Sequence, residues 1–210
     1  MLRYLLVLVE GGIYSDTDTR MLKTIDHWGQ GSMDFQGTHS TGPPSVIVGI
    51  EADVGGREDW HNWWARPVQV CQWTFASAPY HPIFLDAVRR IYEGTVFLSY
   101  HENADGKELE EVPGFGSLKA GVGSLVAQIM EWTGPGVFTD SVMRYLAAGH
   151  GMMWPSLKDR RVPLRFQETV VLPVTGFSPG VKLFGAGEIY DEQAMVHHMF
   201  AGSWKPLKGS

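Results

Sequence analysis

The chain has 210 residues, 44% hydrophobic and 12% aromatic, with 25 Gly and 12 Pro; it is long enough for one turn-rich domain with a buried core and too apolar for a disordered segment. Lys and Arg number 17 against 23 Asp and Glu, and the resulting charge of −6 excludes a basic nucleic-acid surface. The single cysteine, Cys71, excludes an internal disulfide and a cysteine-rich zinc site, and no run reaches the roughly 18 apolar residues that would span a bilayer.

Met1 to Glu10 is apolar with one arginine, and Leu2, Leu5, Leu6 and Val9 fall at helical spacing, which predicts a buried helix closed by Gly11. Ile13 to Thr19 then reads as a strand or strand end carrying Asp16 and Asp18. In an extended segment residues at i and i+2 point to one side, so the two carboxylates converge. Anions that close repel, and a shared proton or a divalent ion relieves them; in an all-oxygen site that ion is magnesium or manganese. A polar turn with two solvated aspartates is the plain alternative.

Residues 26–44 lack periodicity and read as loop, whereas Ser45 to Ile50 is a continuous apolar run of the kind buried on both faces of a sheet. It ends in Glu51 and Asp53, acidic groups at a strand end where α/β proteins place ligands, or else a solvated turn. Trp60, Trp63 and Trp64 follow within five positions and suit core packing, or stacking against sugar rings. Val68 to Phe75 alternates as a strand and leaves Gln69 or Gln72 to face a site. His81-Pro82 opens a helix with an apolar stripe through Ile91, and 94–117 reads as a solvated, mobile loop. Leu118 to Met130 restores helical spacing and is stopped at Glu131 to Gly136. Thr139 is a plausible N-cap for a helix closed by Gly149. Thr169 to Val174 is a last strand whose proline marks an edge or an end. Alternating helices and apolar strands predict one α/β unit over 1–210 with a mainly parallel sheet.

Three chemistries suit the aspartates. A nucleotide-sugar transferase uses a carboxylate-held divalent ion against the charge of a departing diphosphate, and a third ligand, His197 or His198, would favour manganese. A phosphohydrolase of the haloacid-dehalogenase type would use Asp16 and Asp18 as nucleophile and acid/base, but needs a lysine and an acidic motif for which Lys182 and Gly187 to Asp191 are poor matches. A non-catalytic carbohydrate-binding module or pseudoenzyme is the third.

Arg3-Tyr4, Glu10 to Thr19 and Val48 to Asp53 closely resemble the fungal initiation-specific alpha-1,6-mannosyltransferase family. The likeness continues in order through Gln72-Trp73-Thr74, His81-Pro82, Glu131 to Gly136, Thr175 to Gly180, and His197-His198 with Gly202 to Lys205. The resemblance implies a glycosyltransferase A fold, a Golgi location, and retaining transfer of mannose from GDP-mannose to an N-glycan or mannan acceptor. It implies that Asp16 and Asp18 bind Mn2+ or Mg2+ and the donor diphosphate, that His198 completes the metal site, and that Lys205 neutralises phosphate charge. Glu51, Asp53, Gln72, Glu131, Thr133 and Asp140 are then candidates for the sugar and acceptor side, with Gln72 and Glu131 foremost among them as catalytic residues. Family members carry a membrane anchor and a nucleoside-holding βαβ segment ahead of the Arg-Tyr helix. Because Met1 falls inside that helix, the expectation is an N-terminally incomplete catalytic domain that keeps its metal and sugar portions and binds GDP-mannose poorly.

Overall fold

The apolar run after Pro44 becomes β4 (Val46–Asp53), the strand around which the sheet is built. The computed structural model describes residues 1–35, 42–54, 56–102 and 125–201. Before β4 come α1 (Leu2–Glu10), β1 (Gly12–Ser15), β2 (Thr19–Met21) and β3 (Met33–Asp34). After it come β5 (Val68–Val70), β6 (Thr74–Ser77), α2 (Pro82–Glu102), α3 (Leu125–Trp132), α4 (Pro135–His150), β7 (Leu164–Phe166), β8 (Thr169–Leu172), α5 (Val174–Phe177) and β9 (Val196–His198). The main sheet runs β1-β6-β4-β8-β7-β3, with β5 also on β4, and β2 pairs with β9 in a separate ribbon.

The α/β class is as expected, but the sheet is mixed. β4–β8 and β3–β7 are parallel, whereas β1–β6, β4–β5, β4–β6 and β7–β8 are antiparallel. Connection length decides this, since a parallel neighbour needs a long crossover and a short turn returns the chain antiparallel. Gln167, at φ 51, turns β7 straight back into β8. β8 lies between β4 and β7, so the proline after it marks the strand's end and not an edge: Pro173 caps α5, where no ladder N–H is needed.

Both faces of β4 are covered. Val46, Val48 and Ile50 join the core under α2 and α4, and Ile47 faces the second core with Trp28, Trp73 and Phe177. Gly49 lies against the Phe177 ring, and a Cβ there would collide with that ring. Gly49→Ala is therefore expected to destabilise the protein by about 1–3 kcal/mol through overpacking, measured by urea unfolding.

Several expected boundaries move. α1 buries Tyr4 and Val7, while Leu2, Leu5, Leu6 and Val9 stand exposed, so the buried side of this helix is not the leucine face. Tyr4 sets the orientation: its ring stacks on Phe138 at 5.1 Å and its hydroxyl reaches Gln72 Oε1 at 3.1 Å. The loop at 26–44 includes the short β3. α2 continues through 94–102, which the sequence assigned to a loop, and the rest of that insertion lies outside the described residues, as do Leu118 and Val122. Glu131 and Trp132 sit inside α3. α4 starts at Gly134-Pro135, not at Thr139, and ends on Gly151 in the left-handed conformation, not on Gly149. Thr139, inside the helix, uses its hydroxyl to accept the Val70 N–H at 2.9 Å.

The expected strand at 68–75 is two strands. β5 and β6 both lie along β4, but the register shifts between them, and Cys71, Gln72 and Trp73 form a bulge. Bulges redirect side chains near functional sites.

Candidate metal centre

Asp16 and Asp18 do converge, by a different route from the extended strand. β1 ends at Ser15 and a tight turn carries both aspartates into β2. Thr19 closes that turn, its N–H and its hydroxyl both donating to the Asp16 carbonyl, at 3.2 and 2.7 Å. Ser15 Oγ lies 2.7 Å from both Thr19 Oγ1 and Thr74 Oγ1, which ties the turn to β6.

The third candidate ligand arrives through long-range pairing. In the β2–β9 ribbon Thr19 is opposite His198, which brings the imidazole beside the aspartates. His198 Nε2 is 3.2 Å from Asp18 Oδ1, and one ligand atom from each of Asp16, Asp18 and His198 lies within 4.8 Å of the others. Asp18 also fastens the strand end, its carbonyl accepting the Met199 N–H at 2.8 Å and its Oδ2 the Ala201 N–H at 3.1 Å. Burial pulls the His198 pKa down and the two carboxylates pull it back, which favours the neutral, ligating imidazole. Two carboxylates and one imidazole suit a divalent ion of the magnesium or manganese type. His197, the other candidate ligand, is not part of this cluster.

Asp16 has two further partners that the sequence did not assign a role. Tyr14 donates to Asp16 Oδ1 at 2.6 Å, and burial with that hydrogen bond pushes the phenol up to about 12, so it stays a donor. Arg3 Nη1 is 3.4 Å from the same oxygen, donates to the Gln72 carbonyl at 2.8 Å, and its guanidinium lies over the Tyr14 ring at 5.0 Å. Gln72 thus borders the metal cluster by its backbone, while Tyr4 links its side chain to the carbonyls of Thr133 and Gly134 at 3.4 and 3.3 Å. Thr133 joins this neighbourhood through its backbone alone.

The remaining candidates are engaged elsewhere. Glu131 accepts Arg66 Nη1 at 2.9 Å, and Asp140 accepts Arg66 Nε and Nη2 at 2.7 and 2.8 Å and Arg90 Nη2 at 3.0 Å. These two acids serve an ion network under the loop between β4 and β5. Asp53 Oδ2 accepts the Asp159 N–H at 2.5 Å, pinning a turn. Lys205 lies outside the described residues. Of the loop tryptophans, Trp60 and Trp64 are half-buried against His61 and Phe184, and Trp63 is 63% exposed with its indole N–H on Asp59. The packing expected of this cluster is therefore not deep core.

Gln69, rather than Gln72, is the buried glutamine: its Nε2 donates to Glu51 Oε2 at 2.8 Å and its Oε1 accepts the Ala65 N–H at 3.1 Å. Burial pushes the Glu51 carboxyl above its ordinary range, opposed by the Gln69 amide and the Trp73 indole N–H. The folded state therefore holds this proton more tightly than the unfolded chain, and Glu51 costs stability as pH rises from its ordinary value through its folded pKa. Glu51→Gln keeps the acceptor and removes the charge. Its melting temperature relative to wild type is expected to rise as pH climbs above the ordinary carboxyl range and to level off once pH passes the raised folded pKa; a difference that shrinks as pH rises contradicts this assignment.

A mixed sheet carrying an Asp-Thr-Asp turn beside its first edge strand, closed by a histidine from a distant strand, belongs to the α/β class with a glycosyltransferase A-like fold. Residues 1–34 match the family described as the glycosyltransferase sugar-binding region containing the DXD motif. Three initiation-specific alpha-1,6-mannosyltransferases align with 97% of the chain. That of Schizosaccharomyces pombe is 41% identical over 204 residues, covering 45% of that protein. That of Candida albicans is 35% identical over 218 residues, covering 52%, and that of Saccharomyces cerevisiae 27% over 299 residues, covering 62%. The resemblance carried by the motifs is borne out: over nearly its whole length the chain is homologous to the initiation-specific alpha-1,6-mannosyltransferase family. It spans about half the length of the curated relatives it matches. No helix among the described residues is long and apolar enough to cross a membrane.

Proposed function

We propose that residues 1–210 form part of a glycosyltransferase catalytic domain that holds Mn2+ or Mg2+ on Asp16, Asp18 and His198. The protein transfers mannose from GDP-mannose to a mannose of an N-linked glycan or mannan, with retention of the alpha configuration, in the Golgi lumen. The observation that carries this reading is the three-residue cluster, two carboxylates from the turn before β2 and an imidazole from β9 about 180 residues further along the chain. When bound, the ion supplies positive charge against the diphosphate as the sugar leaves it.

This chain's own residues do the rest. Tyr14 and Arg3 fix the Asp16 carboxylate in one orientation, and the backbone N–H groups of Met199 and Ala201 fix Asp18. Gln72, bordering the cluster, is proposed to face the transferred sugar, with Glu51 and Thr133 nearby. Glu131, Asp140 and Asp53 are proposed to shape the site through the contacts that hold its loops. Glu188 and Asp191, the acidic pair a haloacid-dehalogenase reading would recruit, are not in the metal cluster.

The test is incubation with labelled GDP-mannose, Mn2+ and a mannosylated acceptor, beside a generic phosphate ester. Metal-dependent extension of the acceptor is the expected result. Phosphate released from the ester without extension contradicts the reading, and metal-dependent donor binding without extension makes the chain a sugar-binding pseudoenzyme.

A further inference from the structure

Resting on the metal-site reading above, we infer that Trp73 is the positioning residue of that site, holding the His198 imidazole in its ligating orientation by stacking instead of by a hydrogen bond.

A ligating histidine ordinarily gives its second ring nitrogen to a carbonyl or carboxylate, which fixes the ring plane. Among the described residues His198 lacks that device, since its Nδ1 is buried with no hydrogen-bond partner there while Nε2 faces Asp18. What holds the ring is aromatic. Trp73 stacks on it at 4.3 Å between centroids and 22° between planes, and Phe200 meets it edge-on at 4.1 Å and 88°. Phe200 is 54% exposed, whereas Trp73 is 5% exposed and braced from behind by Phe177 at 6.2 Å, so the rigid side of the clamp is the tryptophan.

Two further features point the same way. The Trp73 indole N–H meets no acceptor at full hydrogen-bond geometry among the described residues but lies near enough to the Glu51 carboxylate to lower its pKa, so the residue offers its edge to Glu51 and its face to His198. The Trp73 carbonyl accepts the Asp16 N–H at 2.8 Å, so one residue of the bulge between β5 and β6 touches both ligand-bearing segments. Substituting the side chain leaves the carbonyl bond in place, and the His198→Ala background separates the ring's effect on His198 from its effect on Glu51.

The test is a double-mutant cycle read by Mn2+ titration with electron paramagnetic resonance, in the absence of substrate. Trp73→Leu is expected to weaken Mn2+ binding about tenfold, the lower end of what loss of a ligand's orienting partner costs, and Trp73→Phe, which keeps a ring face, less than threefold. In the His198→Ala background Trp73→Leu is expected to have no further effect. A second readout needs no metal: the ring current of Trp73 shifts the His198 carbon-bound proton resonances upfield, and Trp73→Leu abolishes that shift while Trp73→Phe keeps part of it. Equal weakening in both backgrounds, or unshifted His198 resonances in wild type, overturns the inference. If wild type binds Mn2+ no better than Asp16→Ala/Asp18→Ala, the metal-site reading fails and takes this inference with it.

Discussion

Asp18→Ala is expected to abolish measurable Mn2+ binding and to lower mannose transfer by at least about a hundredfold, on the scale of losing one preorganised charge-stabilising group. The size follows from how many things this side chain does. Its Oδ1 is the neighbour of His198 Nε2 at 3.2 Å, and its Oδ2 receives the Ala201 N–H that follows β9. Truncation removes one of the three proposed ligands and loosens the strand bearing another. Asp18→Asn separates the two effects, because its amide oxygen still accepts from Ala201 while the charge is gone. Its melting temperature is expected to match wild type and its Mn2+ affinity to fall nearly as far as that of Asp18→Ala. Asn binding Mn2+ as wild type does would show that the carboxylate is there for structure alone.

Arg66→Met is expected to give a large loss of stability. Arg66 spreads its guanidinium over Asp140 and Glu131, with Arg90 also on Asp140, and all four side chains are less than one-quarter exposed. Removing one partner of a buried pair costs about 3–5 kcal/mol, because the remaining acids keep their desolvation penalty. With the partial exposure here, roughly 3 kcal/mol is expected, a fall in melting temperature of about 6–12 °C for a chain of this size. Adding Glu131→Gln removes one of the acids left without its guanidinium partner and is expected to recover part of the loss. Calorimetry checks both. A change under about 1 kcal/mol would show that water already compensates these charges.

What could be read from sequence divides according to the range of the interactions. The run Val46 to Ile50 declared a strand buried on both faces because its composition is local, whereas Gly134-Pro135 was read as a stop and Thr139 as the next start, although Pro135 opens α4. Asp16 and Asp18 pointed from spacing alone to converging carboxylates, with a divalent ion, a shared proton or a solvated turn as the readings, although the turn closed by Thr19, and not strand alternation, brings them together. His198 was reached by resemblance, since nothing local says that β9 pairs with β2. The Arg66 network was hidden for the same reason: Asp140 is 74 and Glu131 65 residues away, and acids whose cation lies that far off look like ligand groups. Trp73 was quoted within its motif but given no task, because a bulge appears only when the register of β5 and β6 against β4 is known. α1 misled because its leucines have the period of a core face while its tyrosine makes the contacts.

GDP-mannose titration by calorimetry, with and without Mn2+, on wild type and on Asp16→Ala/Asp18→Ala, tests whether this cluster is a metal-diphosphate site. Saturable binding that requires Mn2+ and is lost in the double variant is the predicted result. Binding that is the same without metal, or the same in the double variant, would contradict it.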